Sequence, residues 1–249
     1  MERDWDSYLC QVDGSIASIM VDLALIRRSP DPALGRLAYL RLFMRQPRPD
    51  GLSSDEEFDA LNGVEDAIDA VLAESGQSLF IGRNTSAGVR DFLYYVAVIS
   101  RFERDAARAL AAFPDYKYEI GHQPDPDWRV YREFLYPSPT DMDGIQNRRV
   151  LRNLEKQGDR LTVPREIMHW AYFPDAESRR RFIEKIAAEH FEVKDAPVGP
   201  DEKGAYRVRF ARTDLPSYAG IDKVTKPLLA LATELGGAYN GWETQVIRN

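Results

Sequence analysis

A single cysteine, Cys10, stands in a chain of 249 residues. No internal disulfide can form, which excludes a small secreted fold held by cystine bridges. Histidine is nearly as scarce: only His122, His169 and His190 are present. None of them shares the i, i+4 spacing of a helical zinc site, and there is no Cys-x-x-Cys. The chain also lacks a phosphate loop, a dinucleotide fingerprint and a nucleophile elbow. These gaps give no sign of a cofactor or a metal, so none is expected, and no local catalytic signature is present, although a Ser-His-Asp set needs only closeness in space. Long apolar runs are missing too. The longest, residues 16–26, is broken by Ser18 and Asp22 and is too short to span a bilayer. The opening Met1-Glu2-Arg3-Asp4-Trp5-Asp6 is acidic and has none of the layout of a signal peptide. The expectation is a soluble cytoplasmic protein without membrane association.

Hydrophobic residues make up 44% of the chain, enough for real cores. The length suits two ordinary domains. Charge divides unevenly between them. Residues 1–137 carry 15 Lys and Arg against 23 Asp and Glu, a net of −8, whereas residues 138–249 carry 18 against 17, a net of +1. The boundary falls at Tyr136-Pro137-Ser138-Pro139, where closely spaced prolines resist helix and sheet interiors. The predicted domains are therefore 1–137 and 138–249.

The first half predicts βββ-α-ββ-α-β. Asp13-Gly14 sits between the apolar runs 8–12 and 16–25 and favours a tight hairpin. A third strand is expected over 37–44. Ser54-Asp55-Glu56-Glu57 has the form of a capping box. The helix after it carries Phe58, Leu61, Ile68 and Leu72 and stops at Gly76. Strands over 79–82 and 89–98, a helix over 102–113 and a strand over 116–120 follow. The second half opens with a helix over 145–157 and continues as β-α-β-β-α-β. Its strands are expected over 166–173, 191–194, 205–212 and 242–247. Its helices start behind Asp175 and over 221–235, the latter kinked or started late by Pro227. The fold class is thus α+β: two domains, each an antiparallel sheet with helices on one face. The second is ferredoxin-like, βαββαβ with an extra N-terminal helix.

Candidate functional residues come from the second half. The strand Ile167-Met168-His169-Trp170-Ala171-Tyr172-Phe173 is apolar on both faces, so it is expected to be central and covered on both sides. His169 reads first as a core histidine, and Trp242 as a packing residue whose indole N–H needs a partner. Together with Trp170, Tyr172, Arg207 and Arg209 they form the candidate partner-binding or interdomain face. Aromatic and basic side chains on such a sheet also resemble an RNA-stacking surface. However, residues 205–210, Ala-Tyr-Arg-Val-Arg-Phe, lack the Gly-aromatic-Gly core of that motif, and the chain is acidic. No direct nucleic-acid contact is expected.

Two resemblances add to this reading. Arg149-Val150-Leu151, Gly158-Asp159, Pro164-Arg165, His169-Trp170, Tyr172-Phe173 and the ending Tyr239-Asn240-Gly241-Trp242-Glu243-Thr244 resemble the regulator of ribonuclease activity B family, over about residues 145–249. Trp5 and Tyr8 with Asp13-Gly14, Asp50-Gly51-Leu52, Asp91-Phe92, Tyr94-Tyr95, Asp125-Pro126, Trp128, Tyr131 and Phe134-Leu135-Tyr136-Pro137 resemble the uncharacterised domain-of-unknown-function family 695, over about residues 1–137. The first resemblance implies a non-catalytic inhibitor that binds an endoribonuclease of the ribonuclease E type and modulates RNA processing. It carries over no catalytic residue. The alternative is a small-molecule-binding or general protein-interaction domain pair without a ribonuclease partner. The charge division implies that any electrostatic attraction to a partner comes mainly from residues 1–137.

Overall fold

The computed structural model describes residues 2–74 and 76–248. The chain divides into two compact units, Met1–Pro137 and Ser138–Asn249.

The first unit is a six-stranded antiparallel sheet in the order β1-β2-β4-β5-β3-β6. Its strands are β1 (Trp5–Val12), β2 (Ser15–Asp22), β3 (Arg36–Phe43), β4 (Ser78–Ser86), β5 (Val89–Val96) and β6 (Tyr118–Pro124). Two hairpins build it. Asp13 and Gly14 both adopt positive φ between β1 and β2, as do Ala87 and Gly88 between β4 and β5. Those angles give the turn a twist that matches the strands it joins. Gly51 is needed nearby, because its φ is +83° and a Cβ there would lie 2.7 Å from the Ala87 nitrogen. Helices α1 (Asp55–Ala73) and α2 (Ile99–Leu110) bury Leu61, Val64, Ile68, Phe102 and Ala106 against Leu40, Leu42, Phe92 and Tyr94.

The expected capping box does not form. The Ser54 side chain makes no cap hydrogen bond, and the Glu57 carboxylate instead accepts the backbone N–H groups of Arg45 and Gln46 at 2.8 and 2.7 Å. It thereby ties the end of β3 to the first turn of α1. The strand expected over 16–25 ends at Asp22, whose side chain caps a 3-10 turn, Leu23–Arg27.

Residues 125–137 form an irregular arm with one π-helical turn, Val130–Leu135, which periodicity does not reveal. Its fully buried Trp128 stacks on Tyr95 with ring centroids 4.2 Å apart and donates its indole N–H to the Leu34 carbonyl at 2.9 Å. Asp125 accepts the Tyr95 hydroxyl at 2.5 Å and the Arg129 N–H at 2.8 Å. The arm therefore replaces the missing regular hydrogen bonds with side-chain ones.

The second unit runs α3 (Pro139–Lys156), β7 (Arg165–Phe173), α4 (Ala176–Ala188), β8 (Glu192–Asp195), β9 (Tyr206–Asp214), α5 (Ile221–Glu234) and β10 (Ala238–Glu243). Its four-stranded antiparallel sheet has the order β10-β7-β9-β8, the ferredoxin-like arrangement preceded by one helix. At the boundary Pro139 starts the helix, six residues earlier than the helix expected over 145–157. Ser138 caps α3 by accepting the Asp141 N–H, and Pro139 takes the first helical position, where a missing N–H costs nothing. Asp175 caps α4 as expected, accepting the Ser178 N–H at 2.7 Å. Pro227 lies inside α5, which runs on from Ile221 without the late start. The helix-side core joins Phe182, Ile186, Leu228 and Ala232 to Ala171, Phe173, Val208 and Phe210.

Candidate functional site

Strand parity sorts the second sheet into two unlike faces. On β7, Ile167, His169, Ala171 and Phe173 are buried under the helices, while Met168, Trp170 and Tyr172 point the other way and are half-buried. The register places Arg209 opposite Trp170 and Arg207 opposite Tyr172 on β9. Each ring residue thus has an arginine opposite it in the strand pair. Four of the six predicted face residues, Trp170, Tyr172, Arg207 and Arg209, share this surface. The side chains in the helix-packed cores all belong to the opposite face.

The flanks of the surface are charged and mostly neutralised. Lys194 bridges Glu166 and Glu192 at 2.9 and 2.8 Å, and Arg207 pairs with Asp195 at 2.5 Å. Arg209 is exposed and forms no ion pair among the described residues. The result is a strip of thioether and rings, Met168-Trp170-Tyr172, beside one uncompensated cation. Two concavities flank it: one of about 550 Å³ beside Tyr172, Lys203 and Asn240, and one of about 410 Å³ beside Met168, Glu166 and Thr244.

His169 and Trp242 do not belong to that surface. His169 is fully buried and stacks on Phe210 at 5.4 Å, with Nδ1 2.8 Å from the Tyr239 hydroxyl. Trp242 is expected on the candidate face, but a β-bulge turns it inward. Tyr239 lies opposite Ala171 and Trp242 opposite His169, so three steps on β10 match two on β7. Gly241, at φ +84°, absorbs the extra residue. Tyr239 and Trp242 therefore both face the helices, and the Tyr-Asn-Gly-Trp spacing is the sequence trace of the bulge. β10 also ends at Glu243, earlier than the strand expected over 242–247.

Beneath the bulge lies a polar knot that supplies the partner expected for the Trp242 indole N–H. Trp242 donates its indole N–H to Asn147 Oδ1 at 2.7 Å. Asn147 Nδ2 reaches Thr225 Oγ1 at 2.8 Å and Asp222 Oδ1 at 2.9 Å, and Thr225 donates to Asp143 at 2.6 Å. A 530 Å³ cavity opens beside it, lined by Met142, Asp143, Val150, Leu229 and Trp242 among others. Burial pushes the Asp143 carboxyl up, opposed by the Thr225 and Asn147 hydrogen bonds. Among the described residues no group of three or more His, Cys, Asp or Glu side chains is arranged to hold a metal ion.

Burial, with the Arg212 charge adding to it, pushes His169 down to about 3. The ring is therefore neutral near pH 7. In the unfolded chain it gains a proton below about 6.5. Stability from this group is complete above that value. It should fall by about 1.4 kcal/mol per pH unit as pH drops toward 3, because the unfolded state alone binds the proton. Proton NMR of the imidazoles should show His169 flat between pH 5 and 8. A titration near 6.5 would contradict its buried placement.

Residues 3–136 match the family of unknown function DUF695, and residues 144–244 match regulator of ribonuclease activity B. No curated protein matches the chain. Two solved structures align over most of its length at 11% identity. One is a protein assigned provisionally as a glycine cleavage system transcriptional repressor, with a TM-score of 0.27 over 84% of this chain and 98% of that one. The other is an unknown protein from Galdieria sulphuraria, with a TM-score of 0.25 over 85% and 99%. Scores this low carry no inference about either fold or function.

Proposed function

Because the chain belongs to the family of unknown function DUF695 through residues 3–136 and carries a regulator of ribonuclease activity B domain over residues 144–244, we propose that it is a non-catalytic regulator that binds an endoribonuclease of the ribonuclease E type and slows its RNA cleavage. The observation that supports this most directly is the Met168-Trp170-Tyr172 strip with Arg207 and Arg209 across the strand pair. Met, Trp, Tyr and Arg are the residue types that concentrate at protein interfaces, and Trp, Tyr and Arg are those that dominate binding energy there. The bulge and polar knot on the other face act as its support. They fix β10 beside β7, and with it the rim of the surface.

A retention assay with the full chain immobilised, followed by cleavage of a fluorogenic single-stranded RNA by the purified endoribonuclease, tests the proposal. The expected result is retention of the enzyme and slower cleavage at micromolar regulator. The double variant Trp170→Ala, Arg209→Ala should bind at least about 10-fold more weakly. Neither side chain is fully buried, so the variant should keep its fold, as circular dichroism would show. No retention and no slowing, or full potency of the double variant, would remove this reading. The alternative is a small-molecule-binding domain, and the cavity beside Asp143 and Trp242 favours it.

A further inference from the structure

The negative charge of the first unit is concentrated on one element. Helix α1 holds seven carboxylates and neither lysine nor arginine. Two are committed internally: Glu57 to the Arg45 and Gln46 N–H groups, and Glu65 to Arg83. The other five, Asp55, Glu56, Asp59, Asp66 and Asp69, form no ion pair among the described residues.

Beside this helix the sheet is left uncovered. The core under α1 and α2 is made by β3, β4 and β5. On the same face β1 and β2 extend outward, and their register puts Leu9 and Ile16 on the side of Trp5 and Met20. Leu9 is 64% exposed and Ile16 44%. Between α1 and this hairpin lies a cavity of about 480 Å³, whose walls include Trp5, Met20 and Phe80 on the sheet and Asp69 on the helix. Asp69 accepts the Tyr94 hydroxyl at 2.8 Å, and burial raises its pKa against that hydrogen bond. A carboxylate in that state gains from an arriving cation.

The protein's own Arg3 already shows the fit. Its guanidinium lines the cavity, lies 5.5 Å over the Trp5 ring and donates to the Phe80 carbonyl at 3.1 Å. From this geometry we infer that the groove between α1 and the β1–β2 hairpin docks a basic, aliphatic-bearing peptide segment of a partner protein. A lysine or arginine head takes the Arg3 position beside Asp69, and apolar side chains lie on Trp5, Met20 and Leu9. Charge complementarity to the unpaired α1 carboxylates fixes the sign of the partner, and the apolar floor requires more than charge. This surface is separate from the ribonuclease-binding face and does not depend on that reading.

Fluorescence anisotropy with the full chain tests the inference. The probe is a labelled peptide of about twelve residues alternating leucine with lysine and arginine. The control peptide has glutamine at every basic position. The basic peptide should bind and lose affinity as salt rises, and the control should bind at least about 10-fold more weakly. Asp66→Asn with Asp69→Asn keeps the acceptor for Tyr94 and should weaken binding about 10-fold. Leu9→Ser, at an exposed position, should weaken it severalfold. Arg3→Ala should tighten it, since the site is vacated. Asp31→Asn with Asp127→Asn removes the same charge outside both α1 and the hairpin and should leave binding unchanged. Absence of binding, equal effects of the two double Asp variants, or indifference to both Leu9→Ser and Arg3→Ala would overturn the inference.

Discussion

Replacing Asp159 by Asn should cost the second unit about 3–5 kcal/mol, the usual penalty for breaking a buried ion pair from one side. The Asp159 and Arg165 side chains are 1% and 2% exposed. Both carboxylate oxygens are fully engaged. Oδ1 accepts Arg165 Nη2 at 2.9 Å and the Leu161 N–H at 2.8 Å. Oδ2 accepts Arg165 Nη1 and the Ile247 N–H. An asparagine presents one oxygen and one NH₂, so whichever way it turns, donors face donors. Arg165 keeps its charge with half its partner. Leu161 also holds φ +57°, a conformation costly for a branched side chain, and the lost acceptor is what anchors it. The pair stitches the end of α3, the start of β7 and the segment after β10 together, since Arg165 also donates to the Gln245 carbonyl at 2.9 Å. Urea unfolding should show the loss. The double variant Asp159→Leu, Arg165→Met should be less damaged than Asp159→Asn, because no unpaired charge remains buried. Hydrogen bonding from Arg165 holds the Asp159 carboxyl well below the usual carboxylate range. Its contribution is therefore complete above about pH 4 and is lost as pH falls through the depressed folded value. A penalty under about 1 kcal/mol for Asp159→Asn would show that the pair is not a buried anchor.

Much of this architecture is legible in the amino-acid sequence. Period-two alternation in Ile167–Phe173 and Tyr206–Phe210 identified β7 and β9 and their faces, and Asp13-Gly14 marked the first hairpin. Apolar spacing found α1, and Asp175 found the start of α4. What escaped shares one cause: local backbone departures that alternation cannot register. The bulge at Asn240-Gly241 inverts the side on which Trp242 falls. The π-helical turn in the 125–137 arm has no sequence period, although Asp125, Trp128 and Tyr131 are its anchors. Proline at the boundary suggested a break with the helix starting near 145, yet Pro139 serves as a helix start because Ser138 precedes it. Candidate-face residues fared by the same rule. Trp170, Tyr172, Arg207 and Arg209 lie on regular strand and fall together by register. The parity of β7 itself places His169 with Ile167 and Phe173, away from them.

Asn147 should prove the most sensitive uncharged position in the second unit. Its amide orientation is fixed by chemistry, because the Trp242 indole can only donate and must meet the carbonyl oxygen. The NH₂ then faces Thr225 and Asp222, and Asn147 itself is 1% exposed. Asn147→Leu conserves volume but strands the Trp242 N–H and removes the amide donor that faces Thr225, Asp222 and Asp143. Each orphaned buried group costs about 1–3 kcal/mol, so a total near 3–5 kcal/mol follows. At a urea m-value of about 1–3 kcal/mol/M, that lowers the unfolding midpoint by roughly 2 M. Asn147→Asp separates hydrogen bonding from packing. It still accepts from Trp242 but sets a third carboxylate against Asp143 and Asp222, whose oxygens the Asn147 amide nitrogen contacts at 3.2 and 2.9 Å. Like charges that close cannot all ionise in a buried site. The aspartate variant should therefore be about as damaged as the leucine variant at pH 7 and recover part of the loss toward pH 5, where one carboxyl takes a proton. The leucine variant should show no such recovery beyond the wild-type pH trend. Parallel pH trends in the two variants would mean that Asn147 only fills space. A selective recovery would mean that the Tyr-Asn-Gly-Trp strand is held in place by an uncharged amide that keeps two acidic side chains apart.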